Sequence, residues 1–462
     1  MNTAERQRAT GHAVNRLITA PILPTLLRLS LPNMAAMLVA ALVAVAETAY
    51  VGRLGIPSLA GMALVFPLVM LQQMMSAGAM GGGVSSAISR ALGSGDEARA
   101  ESLVLHATII GVSVGVAFGT LFLLLGPALY ATLGGSGEAL AQALAYSDIV
   151  FLGAVFIWLA NTFASTIRGS GNMRIPSTAL FGIATLQAVL GGGLGLGIAP
   201  FPKLGMPGIA LGQVIAYAGG TGLLGWYLLS GRGRVRLRFR FGDLHWEMFR
   251  DILKVGAVAC VSPLQSILTV LILTRLVSAF GTEALAGYGI GARLEFILIP
   301  ITFSIGVSCV PMVGMAIGAG DVRRARRVAW TGGGLSAGGL GAIGLIAALG
   351  PDLWAGLFTA DPTVLAMAAL YFSWAGPFYA FFGLGLCLYF ASQGSGKILG
   401  PVLAATVRLV VVAGGGWWLA RAHQPPWTIF ALIGLSMFAY GAATALAVFL
   451  TRWGPPSAVQ PA

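Results

Sequence analysis

The stretch Ala44-Val45-Ala46-Glu47-Thr48-Ala49-Tyr50-Val51-Gly52 sets a carboxylate inside an apolar run from about Leu29 to Val51. A hydrocarbon core of ~30 Å takes ~20 helical residues, so this run is long enough to cross a bilayer. An acid at mid-span costs ~2.5–3.5 kcal/mol to insert, and such acids face a cavity or a partner. The nearest basic residues, Arg28 and Arg53, stand at or beyond the ends of the run. Glu47 is therefore the first candidate functional residue.

The composition agrees with a membrane setting. Of 462 residues, 57% are hydrophobic and only 9% are charged, against ~25% charged in a soluble domain. The 66 glycines suit a bundle of closely approaching membrane helices. Cys260, Cys309 and Cys387 are far apart in sequence, have no metal-binding spacing, and read as small core residues. No cleavable signal is visible: Met1 to Ala20 is polar, and the first helix is expected to act as an uncleaved insertion signal.

Twelve spans are expected, at about 30–52, 58–82, 103–129, 144–166, 177–199, 208–230, 254–278, 284–316, 328–350, 366–390, 398–420 and 427–451. The long second and eighth spans hold Pro67 and Pro300, which kink a helix or break it. With the N-terminus in the cytoplasm, the outer loops carry only Arg53, Lys203 and Arg421, and the inner segments carry the other loop cations. The positive-inside rule then puts both termini in the cytoplasm and the protein in the inner membrane. The net charge of +12 is thus a record of topology, and nucleic acid is not an expected partner. The basic segment from Arg232 to Phe241 reads as a positive-inside linker, with an anionic-lipid contact as the sharper alternative. The segment from Asp243 to Ile252 suits a short interfacial helix capped by Asp243.

The chain repeats itself. Ala91-Leu92-Gly93-Ser94-Gly95-Asp96 recurs 225 residues later as Ala316-Ile317-Gly318-Ala319-Gly320-Asp321. Gly169-Ser170-Gly171 with Pro176 recurs at the same offset as Gly394-Ser395-Gly396 with Pro401, and Gly55 with Gly61 recurs as Gly281 with Gly287. Six spans per half is an even number, so the halves run parallel. The fold class is then all-α integral membrane: twelve transmembrane helices in two six-helix lobes related by a pseudo-two-fold axis along the membrane normal. The expected divisions are an arm at 1–28, a lobe at 29–230, a basic linker at 231–253, a second lobe at 254–451 and a tail at 452–462.

These residues resemble a known family. Pro32, the run from Glu47 through Gly55, Ala60-Gly61 and Pro67 look like the opening of the multidrug and toxic compound extrusion (MATE) transporters. The run from Gly289 to Glu295, Val310-Pro311-Met312-Val313-Gly314 and Gly318 to Ala325 extend the likeness into the second half. The resemblance implies two lobes, a central cavity, and export of drug-like, often cationic compounds against inward flow of H⁺ or Na⁺. It also implies an acid before the Thr of the first helix, where Glu47 stands. Two departures bear on coupling. The expected seventh and tenth spans contain no acid, and the fifth offers Gln187 where one branch of the family has an Asp. Hard cations prefer several oxygen ligands with anionic charge, so H⁺ is favoured over Na⁺. No other cofactor is expected.

Apolar surroundings penalise a charged carboxylate, so Glu47 can load and release a proton. Glu295, mid-span in the eighth helix, is the second candidate for ion coupling. Its alternative role is an ion-paired helix lock with Arg275 or Arg408; Arg293, two residues away, does not share its helical face. Under the repeat, Glu47 falls opposite Leu273 and Glu295 opposite Val69, so the acids are not duplicated. Tyr50, Gln72, Gln187 and Tyr288 are candidate cavity residues, and the methionines of the second helix suit an adaptable wall or plain packing. No nucleotide-binding or hydrolytic motif is present, which argues against an enzyme. The alternative is a flippase for lipid-linked precursors, which would gather Arg275, Arg293 and Arg408 around one cavity. Drug-like small molecules and the bilayer are the expected partners, and the protein is expected to act as a monomer.

Overall fold

A computed structural model describes residues 17–454 except 240 and 423. The arm residues 1–16, with Arg6, Arg8 and Arg16, and the tail from 455 lie outside the described residues. Among the described residues the chain is helical, without strands. The helices are α1 (Ile22–Leu54), α2 (Ile56–Gly93), α3 (Glu97–Thr132), α4 (Gly137–Leu152), α5 (Ala154–Gly169), α6 (Arg174–Leu196) and α7 (Met206–Leu229). After the basic segment come α8 (Trp246–Ala259), α9 (Val261–Ser278), α10 (Thr282–Gly318), α11 (Val322–Leu349), α12 (Pro362–Ala375), α13 (Tyr379–Ser395), α14 (Leu399–Ala422) and α15 (Trp427–Leu450). Among the described residues eleven spans are long and apolar enough to cross a membrane, and α4 with α5, bent by 49°, makes a twelfth when the pair is taken as one span.

The contacts divide the described chain into two compact units, one of residues 31–256 and one of residues 17–30 with 257–454. Each unit packs its spans in the same order. In the first, α6 packs on α7, α3 on α5, and α2 on α4 and α5; in the second, α14 packs on α15, α11 on α13, and α10 on α12 and α13. The repeated motifs explain the match atom by atom. Asp96 accepts the Arg99 N–H at 2.9 Å and Asp321 accepts the Arg324 N–H at 2.8 Å, each capping its helix. The glycines before them, Gly95 and Gly320, both have φ of +80°, a left-handed turn that a side chain would strain. A Cβ on Gly61 would lie 2.8 Å from the Ala143 nitrogen, and one on Gly287 2.8 Å from the Ala368 nitrogen. Both glycines thus let the second span of a unit approach its fourth.

The units differ in their first spans. In the second unit α9 packs closely on α14, whereas the counterpart, α1, approaches every other helix only loosely by backbone distance.

The segment after the linker departs from expectation. It is not a short interfacial helix capped by Asp243. Asp243 closes a separate single turn (Phe241–Asp243), and the helix begins at Trp246 and belongs to a 33-residue span, Trp246–Ser278. Its start is held by a residue from α3: the His245 backbone N–H donates to His106 Nε2 at 3.1 Å, while His106 Nδ1 faces the Ser102 carbonyl at 2.8 Å. Asp251 then bridges Arg90 at 2.6 Å and Arg99 at 3.1 Å. In the linker, the Arg234 guanidinium donates to the Ser170 carbonyl at 2.6 Å. Burial pulls that guanidinium down to about 10, against the opposing effect of Glu97.

Close helix approach yields a direct prediction. A Cβ on Gly208 of α7 would stand 2.8 Å from the Gly195 nitrogen and closer still to the Leu194 carbonyl, whereas one on Gly182 of α6 meets nothing within 4 Å. Overpacking of this kind costs roughly 1–3 kcal/mol. Gly208→Val is expected to lower the thermal midpoint of the detergent-solubilised protein by several degrees, and Gly182→Val to leave it unchanged or raise it.

Candidate functional site

Glu47 lies buried on α1, with 7% of its surface exposed. Its Oε1 accepts one hydrogen bond, from Gln187 Nε2 of α6 at 2.8 Å. One turn along α6 is Gly191, where a Cβ would sit 3.8 Å from the same carboxylate oxygen. So α6 offers Glu47 one amide and an otherwise bare backbone. Among the described residues no Lys, Arg or His comes within ion-pair distance of Glu47. Tyr146 of α4 and Tyr217 of α7 belong to the buried cluster that also holds Val51, one turn along α1 from Glu47. Tyr146 donates to Gln213 Oε1 at 2.7 Å, and Tyr217 accepts from Gln73 Nε2. The surroundings are thus polar and neutral, and the acid brings the charge.

Glu295 is half-buried on α10. It accepts a hydrogen bond from the Tyr371 hydroxyl, which in turn lies 3.2 Å from the Tyr379 hydroxyl. One turn before Glu295, Gly291 leaves the space that the Tyr371 ring fills. The alternative role for Glu295, an arginine lock, finds no ion pair among the described residues. No guanidinium is within ion-pair distance of Glu295. Arg293 instead lies 5.1 Å over the Phe358 ring, Arg408 lies 5.2 Å over the Phe382 ring, and Arg275 is exposed. Arg408 reaches Glu295 only through its field. A tyrosine already satisfies the acid without the desolvation of a second charge, which a buried ion pair would require.

The four expected cavity residues fall in different settings. Gln187 touches Glu47 directly. Tyr50 is half-buried, its ring against the bare backbone of Gly192. Tyr288 is buried with its ring edge-on to Tyr371, at 5.9 Å between centroids. Gln72 is 1% exposed, and neither end of its amide has a hydrogen-bond partner. Its neighbour Gln73 makes the polar contacts instead.

Tyrosines Tyr146 and Tyr371 escaped the sequence reading, although the signal was available. They stand 225 residues apart, the offset of the repeat. The two acids come from non-equivalent helices, and in the second unit the acid meets the repeated tyrosine by a hydrogen bond. A hydrogen bond to a charged group contributes ~1.5–3 kcal/mol. Tyr371→Phe is therefore expected to lower the thermal midpoint. In a double-mutant cycle with Glu295→Gln, the pair should show non-additivity of roughly 0.5–3 kcal/mol.

Comparison with known proteins follows the same two-part division. The MatE family model matches residues 32–191 and again 258–418. An FAD transporter of Shewanella oneidensis is 27% identical over 319 residues, covering 67% of this chain and 69% of its own. A probable multidrug resistance protein NorM of Thermotoga maritima is 26% identical over 399 residues, covering 86% and 83%. The multidrug export protein MepA of Staphylococcus aureus is 23% identical over 397 residues, covering 85% and 86%. A solved structure of a MOP superfamily transporter from Pyrococcus furiosus superposes with a TM-score of 0.85 at 21% identity, covering 94% of this chain and 96% of that one. An outward-facing multidrug resistance MATE family transporter gives a TM-score of 0.84 at 22% identity, with the same coverage. With its family model matched once in each half, the chain belongs to the MatE family, the multidrug and toxic compound extrusion transporters that its sequence resembles, and is not an enzyme.

Proposed function

We propose that the protein is a secondary active antiporter that exports cationic, amphipathic compounds in exchange for H⁺ by alternating access, with Glu47 as the main protonation site and Glu295 as the second. The observation that carries this reading is the neutral shell around Glu47, which holds one amide donor and no counter-charge among the described residues. With a single unbalanced charge, the site is anionic or neutral according to one proton. A cationic substrate binds the anionic form and a proton abolishes that form, so the two ligands compete. The coupling equals the difference in affinity between the two forms and is reciprocal.

Sodium is the weaker candidate. Na⁺ is a hard cation and seeks several oxygens, and Gln187 turns its Nε2 donor toward Glu47. The flippase reading also loses support, because the three arginines go to separate neighbours or to the surface. The named activities of the relatives favour small-molecule export, multidrug resistance or export for two and FAD transport for one. The substrate panel for this chain accordingly includes FAD beside cationic dyes. The basic inner segments support an inner-membrane location with cytoplasmic termini, and the reading requires no partner chain.

The test is efflux from proteoliposomes under an imposed pH gradient and, separately, an imposed Na⁺ gradient. The wild type is expected to respond to the pH gradient. Glu47→Gln is expected to lose the response to background, and Glu47→Asp to keep part of it. Retained gradient-driven efflux in Glu47→Gln contradicts the assignment.

A further inference from the structure

The first span of each half begins in the unit of the other. Residues 17–30 pack with residues 257–454, while the start of the span Trp246–Ser278, as far as Gly256, packs with residues 31–256. The side chains that hold these two starts stand at one repeat position. Arg99 of α3 and Arg324 of α11 are 225 residues apart, and each follows the aspartate that caps its helix, Asp96 or Asp321, at the same distance in sequence.

In the second unit the sequence shows why an arginine is needed. A helical carbonyl accepts from the N–H four residues on. For Leu17 and Ala20 those residues are Pro21 and Pro24, which have no N–H to give. Arg324 supplies the missing donors. Its Nε donates to the Leu17 carbonyl at 3.3 Å, and its Nη2 donates to the Leu17 and Ala20 carbonyls at 3.0 and 2.5 Å. A planar guanidinium fork reaches both acceptors at once, which a compact ammonium does not. Two turns along α11, Gly332 leaves room for the fully buried Leu26: a Cβ on Gly332 would stand 3.5 Å from Leu26 Cδ2.

In the first unit the hold is ionic. Arg99 binds Asp251 at 3.1 Å, beside Arg90 of α2 at 2.6 Å. Two turns along α3, His106 Nε2 accepts the His245 N–H at 3.1 Å. So α3 and α11, the third spans of their halves, each carry two holds on the entry of the other half's first span. The chemistry differs between the copies, and the position is shared.

We propose that Arg99 and Arg324 are positioning residues that fix the entry of each first span on the third span of the opposite half. The crossing gives them a task in transport. Alternating access moves the two repeats against one another. A span held at its entry in one unit and packed along its length in the other is displaced by that movement. In α1 the displaced span carries Glu47, which is bonded to α6 at 2.8 Å. Arg324 is the stronger hold, because it satisfies carbonyls that the prolines leave open, whereas an exposed ion pair such as Arg99–Asp251 contributes little. The task in transport rests on the antiporter reading, and the holds themselves do not.

The experiment has two arms. The first is hydrogen–deuterium exchange of the full-length protein in detergent, read on residues 17–26 and 245–256. Arg324→Ala is expected to speed exchange at 17–26 by at least roughly tenfold and to leave 245–256 unchanged. Arg99→Ala is expected to do the converse, by no more than about fivefold because Arg90 remains on Asp251. The second arm is dye efflux from proteoliposomes at equal amounts of folded protein. Arg324→Ala is expected to lower the efflux rate several-fold with dye affinity unchanged. Arg324→Lys, which keeps a charged donor, should recover part of both readouts, and it serves if Arg324→Ala does not fold. Pro21→Ala with Pro24→Ala gives the open carbonyls backbone donors. Added to Arg324→Ala, the pair should slow exchange again without restoring efflux, since the tie to α11 stays broken. Unchanged exchange at 17–26 in Arg324→Ala, or equal acceleration in both segments, overturns the crossed holds. An undiminished efflux rate in Arg324→Ala, or its recovery by the proline replacements, overturns the task in transport. The exchange arm needs no transport, so failure of the antiporter reading is told apart from failure of this one.

Discussion

A buried carboxylate held by a single neutral amide is the constraint on which the first unit depends. In apolar surroundings a charge without a counter-charge is costly, and the cheapest relief is a proton or a cationic ligand. Gln187 supplies one hydrogen bond to Glu47, and the glycine one turn along α6 supplies nothing further. The contact also joins α1 to α6.

The duplication provides two similar frames and then treats them differently. Matching caps at Asp96 and Asp321, matching left-handed glycines and matching close approaches at Gly61 and Gly287 give both units the same internal packing. The acids break the match. One rises from the first span of its unit and the other from the second, and among the described residues Glu295 is the one hydrogen-bonded to the repeated tyrosine. Glu295 is bonded to a tyrosine that is itself fully buried, beside a second tyrosine hydroxyl. Glu47 has no such tie to a tyrosine and is bonded to an amide on a neighbouring helix.

Much of this was legible in the sequence because membranes impose simple rules. Apolar length gave the spans, and their number is twelve when the bent pair α4–α5 counts as one. Motif spacing gave the duplication, and a lone acid in an apolar run marked Glu47. Gln187 was singled out by its place in the fifth span and does touch the acid. What was not legible depended on which faces of different helices meet. For Glu295 the sequence leaves two roles open, an arginine-paired lock and ion coupling. Packing instead delivers a tyrosine through the gap left by Gly291. Gln72 and Gln73 are adjacent in sequence, and the way α2 faces α7 decides that Gln73 is the one bonded to Tyr217. The charged start of the helix after the linker, through Asp251, reads in sequence as interfacial. Arg90, Arg99 and His106 bind that start to α2 and α3.

The central claim is that one proton on Glu47 and one cationic substrate exclude each other. It is tested most directly by counting protons released when a lipophilic cationic dye binds the detergent-solubilised protein in weakly buffered solution near neutral pH. The account predicts release of up to about one proton per dye bound in the wild type, as linkage requires when a ligand binds the deprotonated form, and no release in Glu47→Gln. Dye binding without proton release in the wild type, or undiminished release in Glu47→Gln, would contradict it.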